Sequence, residues 1–148
     1  MPATPQRSPK PTEAELAILR VIWDRGPSTV RDVFVALNAD RPAGAKPAGY
    51  TTVLKFMQIM AEKGLLERDD AQRTHVYRAA AQAGEQQTQR RLVKDLLDRA
   101  FGGSMRKLVM QALAAGKASP QELAEIRHLL DSAKDAKSPQ PTKQATRK

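Results

Sequence analysis

The sequence predicts a mainly α fold: three helices, a short β-hairpin, then three more helices. Three observations predict it. Apolar residues recur at i, i+3, i+4 and i+7, as in Val30, Val33, Phe34 and Leu37, and similar stripes repeat along most of the 148 residues. Between Leu65 and Arg78 the period changes from helical to alternating, which marks two strands. Helix-start signals, Thr12-Glu13-Ala14-Glu15 and Ser119-Pro120-Gln121-Glu122, stand at both ends of the helical run.

Residues 1–11 are rich in proline and polar side chains and are expected to be a disordered tail. Thr12 and Glu15 form a capping box, each satisfying a backbone donor of the other. The first helix runs to about Asp24, with Leu16, Leu19, Ile22 and Trp23 as its buried stripe. Trp23, the single tryptophan, is expected to anchor the core rather than stack on a ligand. Gly26-Pro27 breaks the helix, Ser28-Thr29 is a short extended piece, and Thr29 caps a second helix that ends near Asn38. Residues 39–49 form a loop with Pro42, Gly44, Pro47 and Gly49 as breakers.

The third helix, from Gly49 to the cap at Gly64, holds the candidate site. Val53, Met57 and Met60, with Leu54 and Ala61, give it one apolar face. Thr51, Thr52 and Lys55 cluster at its first turn, away from that face. A helix N-terminus presents free N–H groups and the positive end of its dipole to a phosphate. Threonine hydroxyls bond phosphates or bases, and lysine suits a phosphate or a guanine edge. An ordinary amphipathic helix with a polar start would read the same. Lys46, just upstream, is within reach of a phosphate or is simply a solvated loop lysine.

Leu65–Asp70 reads as one strand, residues 71–73 as a turn, and Thr74–Arg78 as the second strand. Three helices followed by a hairpin is the order of a winged helix-turn-helix, with the hairpin as wing over residues 12–80. Arg73 at the wing tip is placed to touch phosphate or enter a minor groove.

A fourth helix is expected from about Ala81 to Arg99. Its first half is polar and should stand in solvent; its second half carries Leu92, Val93, Leu96, Leu97, Ala100 and Phe101. Gly102-Gly103 ends it, and Ser104 caps a fifth helix bearing Leu108, Val109, Ala112 and Leu113. Gly116 ends that one. The second capping box opens a sixth helix with Leu123, Ile126, Leu129 and Leu130. Residues 133–148 are Lys/Pro/Gln-rich and expected to be a disordered basic tail.

Three short helices with broad apolar faces cannot cover one another within about 50 residues, since each exposed aliphatic side chain forgoes about 1.5–3 kcal/mol. Residues 81–132 are therefore expected to be a helical dimerisation domain, with Leu92, Leu96, Leu97, Phe101, Leu108, Leu113, Leu123, Ile126 and Leu130 at the interface. A monomeric three-helix bundle is the alternative. A two-fold dimer of winged helices would read a dyad operator in double-stranded DNA.

Charge adds little. The net +9 suggests a polyanionic partner, but residues 1–11 carry +2 and residues 134–148 carry +4 (five bases, one acid). Only +3 remains on residues 12–133, from 18 bases and 15 acids. There is no cysteine, so no disulfide and no thiolate metal site, consistent with a reducing cytoplasm. No apolar run approaches the ~18 residues of a membrane span, and the N-terminus lacks the apolar core of a secretory signal. Neither a metal nor a cofactor is expected. His75 and His128 share no motif, and no phosphate loop or activated nucleophile is visible. Met57, Met60, Met105 and Met110 read as helix packing.

Several segments resemble the penicillinase-repressor (BlaI/MecI/CopY) family. They are Pro11-Thr12-Glu13-Ala14-Glu15-Leu16, Ile22-Trp23-Asp24-Arg25-Gly26-Pro27-Ser28-Thr29-Val30-Arg31-Asp32-Val33, Gly49-Tyr50-Thr51-Thr52-Val53, Glu62-Lys63-Gly64-Leu65-Leu66, Arg73-Thr74-His75-Val76-Tyr77 and Phe101-Gly102-Gly103-Ser104. The similarity covers about residues 11–132. It implies a homodimeric winged-helix repressor that occupies a dyad operator overlapping a promoter. It also implies DNA contacts by Thr51, Thr52 and Lys55, with Arg73 on the wing. Many members answer to a membrane-bound sensor metalloprotease that cuts the C-terminal domain.

Three positions depart from the family. The Asn-Phe bond of β-lactam-responsive members is replaced by Gln111-Ala112. The Cys-x-Cys copper site of another branch is missing, since the chain has no cysteine. Ile59 stands where a basic residue is common. A winged helix used for protein contacts, without operator binding, is the competing reading, favoured by the modest charge of residues 12–133.

Overall fold

The computed structural model describes residues 10–39, 41–71 and 73–137. Most of the two expected tails therefore lies outside the described residues. The described part is mainly helical with one small antiparallel hairpin, as the sequence predicts: α1 (Glu13–Arg25), α2 (Val30–Ala39), α3 (Tyr50–Lys63), β1 (Leu66–Asp69), β2 (Val76–Ala79), α4 (Glu85–Ala100), α5 (Met105–Ala115) and α6 (Pro120–Lys137). The chain divides into two compact units, Met1–Leu96 and Leu97–Lys148.

In the first unit α1 begins at the expected capping box. Thr12 Oγ1 accepts from the Glu15 N–H at 3.2 Å, and Glu15 Oε1 accepts from the Thr12 N–H at 3.0 Å. A second reciprocal pair, between Thr29 and Asp32, starts α2. α1, α2 and α3 pack on one another, and α1 and α3 on the hairpin, burying Ile18, Leu19, Ile22, Val33, Val53, Met57 and Met60 with Leu65, Leu66 and Tyr77. The predicted α1 stripe is shifted. Ile18 is fully buried and Leu16 only half-buried, because α2, α3 and β2 all contact α1 and cover a wider arc than one stripe. Trp23 is half-buried against the core, and its indole N–H donates to the Ala83 carbonyl at 2.9 Å.

Ser28 bridges Tyr77 through two backbone bonds of 2.9 and 2.8 Å, so the hairpin gains a short third partner. β1 pairs with β2 from Leu66↔Ala79 to Asp69↔Val76, one or two residues shorter at the turn end than the alternation suggested. The helix expected over residues 81–99 is interrupted. Ala81–Ala83 forms a single 3-10 turn, Gly84 is extended, and α4 starts at Glu85. Its first part is not wholly in solvent either: Ala83 and Thr88 are buried.

Gly64 closes α3 in the left-handed region, φ 86°, its N–H donating to Ala61 and Met60 carbonyls. A Cβ there would stand 3.3 Å from the flexible Gln82 amide, so strain in the backbone dominates. Gly64→Ala is expected to cost about 1–2 kcal/mol, read as a lower urea midpoint at unchanged slope.

The second unit holds α5 and α6. Gly102 and Gly103, both at positive φ, turn the chain out of α4, and the Gly103 N–H caps the Leu97 carbonyl at 2.8 Å. Ser104 Oγ accepts from the Lys107 N–H, and Ser119 Oγ accepts from the Glu122 N–H, starting α5 and α6 as predicted. α6 runs past the expected end near residue 132 to Lys137. Ala133, Lys134, Ala136 and Lys137 favour helix, and the next proline is Pro139. No described side chain from residue 97 to 135 is buried within the chain.

Candidate nucleic-acid interface

The geometry of α3 follows from its sequence. At about 100° per residue, Val53, Met57 and Met60 fall on one side and are fully buried. The opposite arc of about 120° carries Thr51, Thr52, Lys55, Gln58, Ile59 and Glu62, all exposed. Thr51, Thr52 and Lys55 thus share one outward face. Among the described residues their side chains have no partner, so they are available to a ligand.

The start of α3 differs chemically from those of its neighbours. α1, α2, α5 and α6 begin with a threonine or serine that accepts a backbone N–H. α3 begins at Gly49, with no side-chain cap and no acid in its first turn. Its first intrahelical bond is Val53 N–H to Gly49 O. The N–H groups of Tyr50, Thr51 and Thr52 are thus left outside the helical ladder, and no acid in the first turn neutralises the dipole, which suits a phosphate oxygen.

Three contacts fix the two ends of α3. Asn38, at the end of α2, clasps Ala48: its Nδ2 donates to the Ala48 carbonyl at 3.2 Å and its Oδ1 accepts from the Ala48 N–H at 2.9 Å. Tyr50 meets Phe34 edge-to-face at 5.6 Å. At the far end Lys63 Nζ lies 2.7 Å from Glu15 Oε2. Glu15 is 3% exposed. Burial pushes its carboxyl up, but the Lys63 ammonium and the Thr12 N–H outweigh burial and hold it below the usual carboxylate range. Sequence reasoning read Glu15 only as half of a capping box. Its pairing with Lys63 joins residues 48 apart and left no local signal.

The wing contributes a smaller set. Arg68 reaches Asp70 at 2.8 Å, and bonds to Tyr77 and Asp70 raise its pKa, so this charge is engaged within the hairpin. His75 Nδ1 lies 2.8 Å from the same Asp70, and Arg78 faces Glu67 at 3.4 Å. Arg73, in the exposed turn, has no partner among the described residues and is the free cation of the wing. Lys46 is exposed in the loop before α3, with no partner among the described residues. These two stand on separate loops rather than on the α3 face.

The nine expected interface residues divide by unit. Leu92 and Leu96 lie in the first; Leu97, Phe101, Leu108, Leu113, Leu123, Ile126 and Leu130 lie in the second. None is buried within the chain, and Leu96, Leu113, Leu123 and Leu130 are exposed. Val93, Met105, Val109, Met110 and Leu129 are also exposed. Met57 and Met60 pack in the core as read, but Met105 and Met110 do not pack within the chain; Met110 Sδ instead accepts from Arg106. Among the described residues no group of three His, Cys, Asp or Glu side chains is gathered as a metal site would need. No described helix is long and apolar enough to cross a membrane.

The family described as "Penicillinase repressor" matches residues 11–132. No curated protein matches the chain. A match of that extent, over a helical fold with a hairpin in the wing position and an outward-facing third helix, settles the lineage: the chain belongs to the penicillinase-repressor family of DNA-binding transcriptional repressors.

Proposed function

We propose that two copies of the chain join through residues 81–132 and occupy a dyad operator, blocking RNA polymerase at a promoter. The observation that carries this reading is the division of α3 into a buried face and an unpaired outward face headed by free N–H groups. Thr51, Thr52 and Lys55 enter the major groove; Lys46 and Arg73 hold phosphates on either side. The apolar side chains that no described part of the chain covers supply the dimer interface. The protein acts in the cytoplasm, needs no cofactor and catalyses nothing. Release follows cutting by a membrane sensor metalloprotease, a reading supported by family membership. Mass spectrometry of the fragments locates the cut bond, since α5 carries Gln111-Ala112 where β-lactam-responsive members have Asn-Phe.

Lys55→Ala is expected to weaken binding by about 1–3 kcal/mol, roughly 5- to 150-fold, by gel-shift titration on the chain's own upstream promoter fragment. Unchanged affinity would remove Lys55 from the site. The modest charge of residues 12–133 favours a protein-contact module instead. That reading predicts a flat salt response, whereas phosphate contacts predict steep loss of DNA binding as salt rises.

A further inference from the structure

We infer that Ile59 is a specificity-determining residue that reads the 5-methyl group of a thymine in each operator half-site. The inference rests on the operator-binding reading above and extends it to a residue which that reading leaves unused.

Ile59 is 38% exposed although aliphatic. Its companions on the outward arc of α3 are Thr51, Thr52, Lys55, Gln58 and Glu62, all polar or charged. On that arc it is the one aliphatic side chain. Neither the core nor the helix asks for it. The buried residues lie on the other side, and a β-branched side chain is a weaker helix former than alanine. Ile59 sits one turn beyond Lys55, about 6 Å along the axis and about 40° round it. A helix that sets Lys55 against a base edge thus carries Ile59 one or two base steps further along the groove. The floor of the major groove is lined with hydrogen-bonding groups apart from one apolar feature, the thymine methyl. An aliphatic side chain held there by a polar helix face has that one chemical counterpart.

The test replaces thymine by deoxyuridine, one position at a time, through the footprinted operator. This removes a methyl and keeps every hydrogen bond. Wild-type protein should lose about fourfold in affinity at one thymine per half-site and about fifteenfold when both half-sites are changed. Ile59→Ala should bind the thymine and uracil operators equally, with its melting temperature unchanged. If every uracil operator binds wild type as tightly as the parent does, the inference fails while operator binding stands. Absence of any operator preference over random DNA would overturn the repressor reading and the inference with it.

Discussion

Leu113→Asp combined with Leu123→Asp is expected to turn the protein into a monomer and to weaken operator binding by about 10²–10⁴-fold. Both leucines are exposed within their own chain, at 51% and 44%, and both lie on helices with no buried side chain among the described residues. An interface between two copies would bury four such side chains for this pair of positions, at about 1.5–3 kcal/mol each. Aspartate removes that gain and adds a desolvation cost. Each winged helix would then bind a half-site alone, without the raised local concentration that tethering supplies. Sedimentation equilibrium at micromolar concentration reads the mass, and gel shift reads the affinity. Circular dichroism should show unchanged helix content, since neither side chain supports its own helix by burial. A double variant that still sediments at twice 16.3 kDa would exclude this surface as the interface.

Lys63→Met is expected to lower the stability of the first unit by about 1–3 kcal/mol at pH 7. Its effect comes from what it leaves behind: the Glu15 carboxylate, nearly sealed from water, without its cation. The figure is kept below that for a fully buried pair because the Lys63 side chain is 32% exposed. The pH dependence carries a sign. In the wild type the Glu15 carboxyl is held below its ordinary value, so its stabilisation is present above that value and lost as pH falls through the folded pKa. Without Lys63 burial is opposed only by Thr12, and the carboxyl is displaced upward relative to the wild type. Urea midpoints of the two proteins should therefore differ at pH 7 and converge towards pH 3. Glu15→Gln in the Lys63→Met background should recover part of the loss at pH 7. A gap between the midpoints that is the same at both pH values would rule out the charge pair as its origin.

Elements whose identity rests on neighbours in sequence were legible. The Thr12–Glu15 box, the Val30–Val33–Phe34–Leu37 stripe, the buried face of α3 and the Gly64 cap all follow from spacings of two to seven residues. What escaped depends on distant contacts. Ile18 is buried because α2, α3 and β2 all pack on α1, which periodicity within α1 does not report. Thr88 is one polar residue among many in sequence, yet it is buried. The pause at Gly84 was hidden because alanine and glutamine on both sides suit a continuous helix. Of the candidate interface, Thr51, Thr52 and Lys55 were readable because polar residues opposite an apolar face must point outward. Arg73 is readable from its turn position. The structure adds that Arg68 and Arg78 have partners within the hairpin, which leaves Arg73 as its available cation.

The bond from the Trp23 indole to the Ala83 carbonyl has a practical consequence. The chain has one tryptophan, and its N–H is held by the backbone turn that leads into α4. Its emission therefore senses whether that turn stays seated on α1. A red shift that precedes the loss of helical ellipticity during unfolding would time the release of α4 without any attached dye.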